Sequence, residues 1–187
     1  MAICLFTTPA ESSSDLTSEN QATALNIREA SDTDREAIWE IFRATIAPGE
    51  AFVYDPKTPR EEAEAYWFAK GTRTFAAEQD GKVIGSYILR PNRPGLGDHV
   101  ANAGFMVGPA ARGLGVGRAM GEHALNEARR LGYRAMQFNF VISTNESAVH
   151  LWQQLGFKIV GTLPGAFRHA QKGFVDAYVM FRPIEEA

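Results

Sequence analysis

The run Arg112-Gly113-Leu114-Gly115-Val116-Gly117-Arg118 has the residue types and spacing in this chain best suited to holding an anion. It follows an apolar stretch of strand character and precedes a stretch with helical periodicity. Glycines at alternate positions let the backbone turn sharply and approach a phosphate with no Cβ in the way. The amides at the start of the next helix then face that anion, and the helix dipole favours its negative charge. Arg112 and Arg118 add a cation at each edge. Taken alone, the same run also describes an ordinary tight turn with solvated arginines, because glycine punctuates turns of every kind.

Two nucleotide-binding readings can be weighed on the residues themselves. A dinucleotide fold expects Gly-x-Gly-x-x-Gly and an acidic residue about 20 positions on, to hold a ribose hydroxyl. Here the glycines are Gly113, Gly115, Gly117 and Gly121, and the following stretch Tyr133-Arg134-Ala135-Met136-Gln137-Phe138-Asn139 has no carboxylate. A phosphate-binding loop of the nucleotide-kinase type needs Gly-Lys-Ser/Thr, which does not follow.

Other residues suited to chemistry are fewer. Asn102 and Asn139 interrupt otherwise apolar strands. Strand interiors are depleted in Asn unless the amide is used, either by neighbouring backbone or by a ligand in a cleft. An amide orients a small amine but is no strong base. Asp98 and His99, at the start of a strand, are the nearest candidates for a general base, with deprotonation through an ordered water as the alternative. The stretch Leu163 to Gly173 reads as a loop whose Arg168, His169 and Lys172 either receive a substrate carboxylate or are simply solvated. The four histidines, His99, His123, His150 and His169, lack metal-ligand spacing, so no metal site is expected.

These residues must be carried by a definite succession of elements. Residues 24–29 read as a first strand. Ser31 or Asp32 caps a helix to about Ala47 with Ile38, Ile41, Phe42 and Thr45 on one face, stopped by Pro48-Gly49. A second helix covers about 59–70, opening near Thr58-Pro59. Arg73 to Ala77 and Lys82 to Leu89 flank the turn Gln79-Asp80-Gly81. A Pro/Gly-rich loop, Pro91 to Gly97, leads to the strand His99 to Val107, followed by the glycine loop and a helix to about Leu131. Tyr133 to Ile142 reads as a buried strand and Asn145 to Leu155 as a short helix, with strands at about 157–163 and 174–182 closing the chain. This order predicts an α/β (α+β) fold: a mixed, mostly antiparallel sheet of about seven strands with helices on both sides.

Composition narrows the class. With 187 residues, 45% apolar and 22% charged, the chain has the balance of a single globular domain, expected over 23–187. Residues 1–22, rich in Ser, Thr and Glu and without periodicity, read as a disordered tail. A net charge of −3 provides no basic footprint for nucleic acid. The lone Cys4 cannot form an internal disulfide, which fits a reducing compartment. No apolar run is long enough to span a bilayer, and the first 27 residues hold no Lys or Arg, unlike secretory or mitochondrial leaders. A cytoplasmic protein without membrane or nucleic-acid partners is expected.

The glycine loop is followed by Asn145-x-x-Ala148-x-x-Leu151-Trp152-x-x-Leu155-Gly156-Phe157. The pair, in that order and separation, resembles the GCN5-related N-acetyltransferase (GNAT) family of acyl-CoA-dependent amine acetylators, whose element order matches residues 25–183. The resemblance implies acetyl-CoA as co-substrate, with its pyrophosphate on the backbone of Arg112, Gly113, Leu114, Gly115, Val116, Gly117 and Arg118. It implies that Phe105, Met106 and Val107 lie on a strand that splays from its neighbour and pairs with the pantetheine arm, an amide near Phe105 or Met106 serving as oxyanion donor. Asn145, Ala148, Leu151 and Trp152 are carried over as further cofactor contacts. Many members have Tyr where this chain has Trp152, as general acid for the leaving thiolate. Indole cannot serve, so the thiolate leaves unassisted or with help from water or another hydroxyl.

The patterns Asn102-Ala103-Gly104-Phe105, Phe138-Asn139-Phe140-Val141, Thr144-Asn145 and Val175-Asp176-Ala177 resemble, more narrowly, the subgroup that acetylates proline analogues such as azetidine-2-carboxylate. There the residue matching Asn102 faces the substrate and that matching Asn139 lies beside the acetyl-CoA. The expected function is therefore acetyl transfer to the amine of a small molecule, an amino acid or toxic amine analogue. A protein or peptide N-acetyltransferase and a non-catalytic acyl-CoA sensor are the alternatives. Family members are often dimers, which leaves a homodimer open.

Overall fold

A computed structural model describes residues 24–184; the segment 1–22, with Cys4, lies outside the described residues. The chain forms β1 (Asn26–Glu29), a 3-10 turn leading into α1 (Arg35–Ile46), α2 (Arg60–Trp67), β2 (Arg73–Gln79), β3 (Lys82–Pro91), β4 (Val100–Val107), α3 (Val116–Arg130), β5 (Ala135–Ile142), α4 (Glu146–Gln154), β6 (Lys158–His169) and β7 (Gly173–Pro183). One seven-stranded sheet runs β1-β2-β3-β4-β5-β7-β6. Every neighbouring pair is antiparallel except β4–β5, as the order of elements predicts.

Local chemistry explains the boundaries. Asp80 (φ 52°) and Gly81 (φ 70°) both take positive φ, the turn whose twist suits a two-residue hairpin, and they join β2 to β3. β6 runs to His169, where a loop was expected from Leu163 onward. Pro164-Gly165 looks like a loop signal, but here it marks an irregularity in the β6–β7 pairing between Leu163 and Phe167. Gly165 takes φ +59° and donates its N–H to Asp176 Oδ1 at 2.9 Å, and Phe167 beyond it is buried, so the strand resumes.

Helices cover both faces of the sheet. Ile38, Ile41 and Phe42 of α1 and Ala63 and Trp67 of α2 bury against Ile88 and Met106. Val116, Met120, Ala124 and Leu125 of α3, with Trp152 of α4, bury against Tyr87, Leu89, Ala101 and Ala103 on the opposite face. Strand alternation therefore turns Asn102 and Gly104 of β4 toward the α1/α2 side, with Met106. β4 and β5 pair only at Val100–Ala135 and Ala101–Met136, although each strand is eight residues long. Beyond those pairs the parallel strands part, and the sheet opens on the side of the glycine loop.

An ion network secures the entry to α1. The Asp34 carboxylate is 5% exposed and accepts from Arg28 Nη1 at 2.7 Å, Arg28 Nη2 at 2.9 Å and the Ser31 backbone N–H at 2.7 Å. The Arg28 guanidinium holds this carboxyl well below the usual carboxylate range. Because its proton affinity is lower folded than unfolded, the contribution is complete above about pH 4 and fades as pH falls toward the folded value. Asp34→Asn is expected to lower unfolding free energy by about 2 kcal/mol at neutral pH. The gap to the unsubstituted protein should shrink below about pH 4, read by denaturant titration at several pH values.

Candidate active site

Two connected clefts lie where β4 and β5 part. The larger, about 830 Å³, runs between the start of α3, the end of β4 and α4. Its walls include Phe105, Met106 and Val107, then Arg112, Gly113, Gly115, Val116, Gly117 and Arg118, and across from them Asn145, Ala148, Leu151 and Trp152. The structure thus brings together the anion loop, the end of β4 and the α4 motif expected to act jointly. Leu114 is the exception on the loop: its side chain is exposed and lines neither cleft.

The loop owes its shape to its glycines. Gly113 (φ +79°) and Gly115 (φ +80°) adopt left-handed conformations, and a Cβ on either would meet nothing within 4 Å, so conformation rather than space selects glycine. Gly115 caps α3, and no acidic side chain occupies the helix's first turn. The first amides of α3 have no intrahelical acceptor and face outward with the positive end of the dipole. Gly117 differs: a Cβ there would stand 3.4 Å from Leu151 Cδ2, inside the α3–α4 approach. Asn145 caps α4, its side-chain oxygen accepting from the Ala148 N–H at 3.3 Å.

The smaller cleft, about 230 Å³, shares Phe52, Phe105, Asn145, Ala148 and Trp152 with the larger and extends to the α1/α2 side of the sheet. Its walls include Asn102, Asn139, Tyr66 and Arg90. Both asparagines face this space while also bonding the protein. Asn102 Nδ2 donates to the Gln137 carbonyl at 2.9 Å, spanning the start of the gap between β4 and β5. Asn139 Nδ2 donates to Asn92 Oδ1 at 2.7 Å, and Asn139 Oδ1 accepts from Gln137 Nε2 at 2.8 Å. Each amide is thus bonded within the protein and also lines the cleft.

Trp152 is the shared floor, 7% exposed, with ring centroids 4.8 Å from Phe105 and 4.9 Å from Phe138. Thr144 lines the larger cleft, and its Oγ1 is buried without a hydrogen-bond partner among the described residues. Asp98 and His99 are exposed and line neither cleft, and no carboxylate among the described residues lines the smaller one. His169 and Lys172 border the larger cleft, whereas Arg168 is exposed and borders neither. His169 Nδ1 accepts from the Gln171 and Lys172 backbone N–H groups at 3.1 and 3.3 Å, which ties it to the β6–β7 turn. Among the described residues, no group of three or more His, Cys, Asp or Glu could hold a metal, and no helix is long and apolar enough to cross a membrane.

Phe52, Tyr66, Arg90, Asn92 and Thr144 are cleft or network residues that sequence reasoning missed. A signal existed for Arg90. Strand alternation continued past Leu89 places it on the face of Ser86 and Ile88, but Pro91 made the strand look finished.

The family model for the Acetyltransferase (GNAT) family matches residues 35–157. The chain is 31% identical over 162 residues to N-acetyltransferase aca1 of Schizosaccharomyces pombe, covering 76% of this chain and 78% of that protein. It is 28% identical over 144 residues to the L-amino acid N-acyltransferase MnaT of Escherichia coli, covering 75% and 83% respectively. Among solved structures, a GCN5-related N-acetyltransferase from Kribbella flavida superposes with a TM-score of 0.82 at 48% identity, over 86% of this chain and 98% of that one.

Proposed function

From the premise that the chain belongs to the GNAT acetyltransferase family, as an N-acetyltransferase whose acetyl donor is acetyl-CoA, we propose that its acceptor is the amine of a small molecule, an amino acid or toxic amine analogue, in the cytoplasm. The observation that carries this reading is the 230 Å³ amide-lined cleft joined to the larger one where β4 and β5 part. Its size suits a small amine, and its wall of Asn102, Asn139 and Arg90 is polar without being acidic. The amino-acid specificity in the name of the Escherichia coli relative supports the same class. The resemblance to the proline-analogue subgroup points, within that class, to cyclic amino acids.

In this reading the larger cleft would hold acetyl-CoA. The backbone from Arg112 to Arg118 would receive its pyrophosphate, the strand edge at Phe105, Met106 and Val107 its pantetheine arm, and Asn145, Ala148, Leu151 and Trp152 the opposite side of the arm. The bound cofactor supplies an acetyl group activated as a thioester. The fit rests on the outward amides of the glycine loop and on the unpaired edge of β4. Asn102 orients the amine, and Asn139, fixed by Gln137 and Asn92, keeps its distance to the acetyl group constant. No described carboxylate lines the smaller cleft, so water would take the amine's proton. The thiolate would leave unassisted or with a proton from water, since the Trp152 indole cannot supply one.

Asn102→Ala tests this assignment. Misplacement of a reacting group by about 1 Å costs on the order of 100-fold, so kcat/KM should fall by that factor while coenzyme A affinity is unchanged. Equal loss of coenzyme A binding would make Asn102 a cofactor or folding residue, and full activity would remove it from the acceptor site.

A further inference from the structure

Arg90 is a half-buried cation in the smaller cleft whose charge no described residue balances. It stands near the end of β3, directly opposite Asn102 in the β3–β4 register, and faces the α1/α2 side. Nη2 donates to the Tyr66 hydroxyl at 3.0 Å, and the guanidinium carbon lies 4.5 Å from the Tyr66 ring centroid. Among the described residues Arg90 forms no ion pair. Arg35 and Arg60, on the same side of the sheet, both pair with Glu64.

The surroundings fix that guanidinium without neutralising it. Tyr66 is held by Tyr54, ring centroids 5.4 Å apart, and Tyr54 by Phe42 at 5.2 Å. Burial raises the Tyr54 phenol above its ordinary pKa, so it stays uncharged at neutral pH. An uncompensated cation away from bulk water is unfavourable, and a carboxylate received on the planar fork of N–H donors removes the penalty. The aromatic wall of Phe52 and Tyr66 offers apolar surface for the rest of a small ligand.

We propose that Arg90, oriented by Tyr66, binds the carboxylate of the acceptor, so that the enzyme selects α-amino or α-imino acids with a free carboxylate over the corresponding amides and amines. This rests on the small-amine reading of the same cleft. It also moves carboxylate recognition from Arg168, His169 and Lys172, none of which lines the smaller cleft, to a residue of the central sheet.

The test compares kcat and KM for free amino acids and azetidine-2-carboxylate, each against its own carboxamide, in the unsubstituted enzyme and in Arg90→Gln and Arg90→Lys. A charge-assisted pair is worth about 10- to 100-fold, so the unsubstituted enzyme should prefer the acid by about that factor in kcat/KM. Arg90→Gln should abolish the preference by raising KM for the acid, leave turnover of the amide in place, and be partly rescued by Arg90→Lys. A parallel loss for acid and amide would reveal a merely structural arginine, and an unchanged preference would place carboxylate recognition elsewhere; either overturns the proposal. Equal turnover of acid and amide by the unsubstituted enzyme overturns it too, while leaving the small-amine function standing. Turnover of peptide amino termini with none of the small acceptors removes that function and this subsite together.

Discussion

A Gly113→Ala, Gly115→Ala double variant is expected to bind coenzyme A about 30- to 1000-fold more weakly than the unsubstituted protein, each alanine costing about 1–2 kcal/mol in a left-handed conformation. Both glycines have φ near +80° and open space around the position of a Cβ, so the penalty arises from backbone conformation alone. In the free protein the exposed loop can relax to another path, which turns its amides away. Binding must then restore the strained path, and the strain appears as lost affinity with little change in melting temperature. Gly117→Ala separates space from conformation: Gly117 lies within α3 and its φ is not left-handed, so lost affinity there would come from a Cβ beside the bound pyrophosphate rather than from backbone strain. Calorimetric titration with coenzyme A reads both variants. Unchanged affinity in the double variant would mean that the cofactor's phosphates rest elsewhere.

Trp152→Ala is expected to lower stability by about 3–5 kcal/mol, the range for truncating a large buried aromatic. The indole is 7% exposed, wedged between Phe105 and Phe138, and forms the floor of both clefts. Its loss therefore joins packing damage to loss of a wall shared by both clefts. Trp152→Phe separates the two effects in part: it keeps an aromatic ring between Phe105 and Phe138 while removing the N–H and part of the indole. If the indole plays no part in protonating the leaving thiolate, kcat in Trp152→Phe should stay within about threefold of the original, since general acid catalysis contributes 100-fold or more. Denaturant titration of Trp152→Ala and the kcat of Trp152→Phe check the two statements independently.

The functional scaffold was legible to different depths along the chain. Arg112 to Arg118 announces itself because alternating glycines after an apolar strand are a local pattern with a local physical consequence. The positions of Asn102 and Asn139 were readable as anomalies of type, polar amides within strands, but not their shared network through Gln137 and Asn92. That network depends on the short β4–β5 register, a tertiary feature with no trace in periodicity. β6 continues past Leu163 although Pro164-Gly165 mimics a loop, because the compensating bond to Asp176 comes from the partner strand β7, a pairing that local turn signals do not show. Arg90 went unnoticed because its neighbour Pro91 signalled a strand end, whereas β3 carries on through that proline and sets Arg90 against Asn102. Thr144 enters the sequence reading only through the Thr144-Asn145 pattern, and the burial of its Oγ1 without a partner among the described residues is a tertiary feature.

Release of free thiol from acetyl-CoA, followed across free amino acids, proline analogues, polyamines and short peptides with the acetylated product identified by mass, tests the central claim most directly. The account predicts turnover with one or more small amino or imino acids, a product heavier by one acetyl group on nitrogen, and little turnover of peptides or polyamines. Tight binding of coenzyme A with no turnover of any small amine would contradict it.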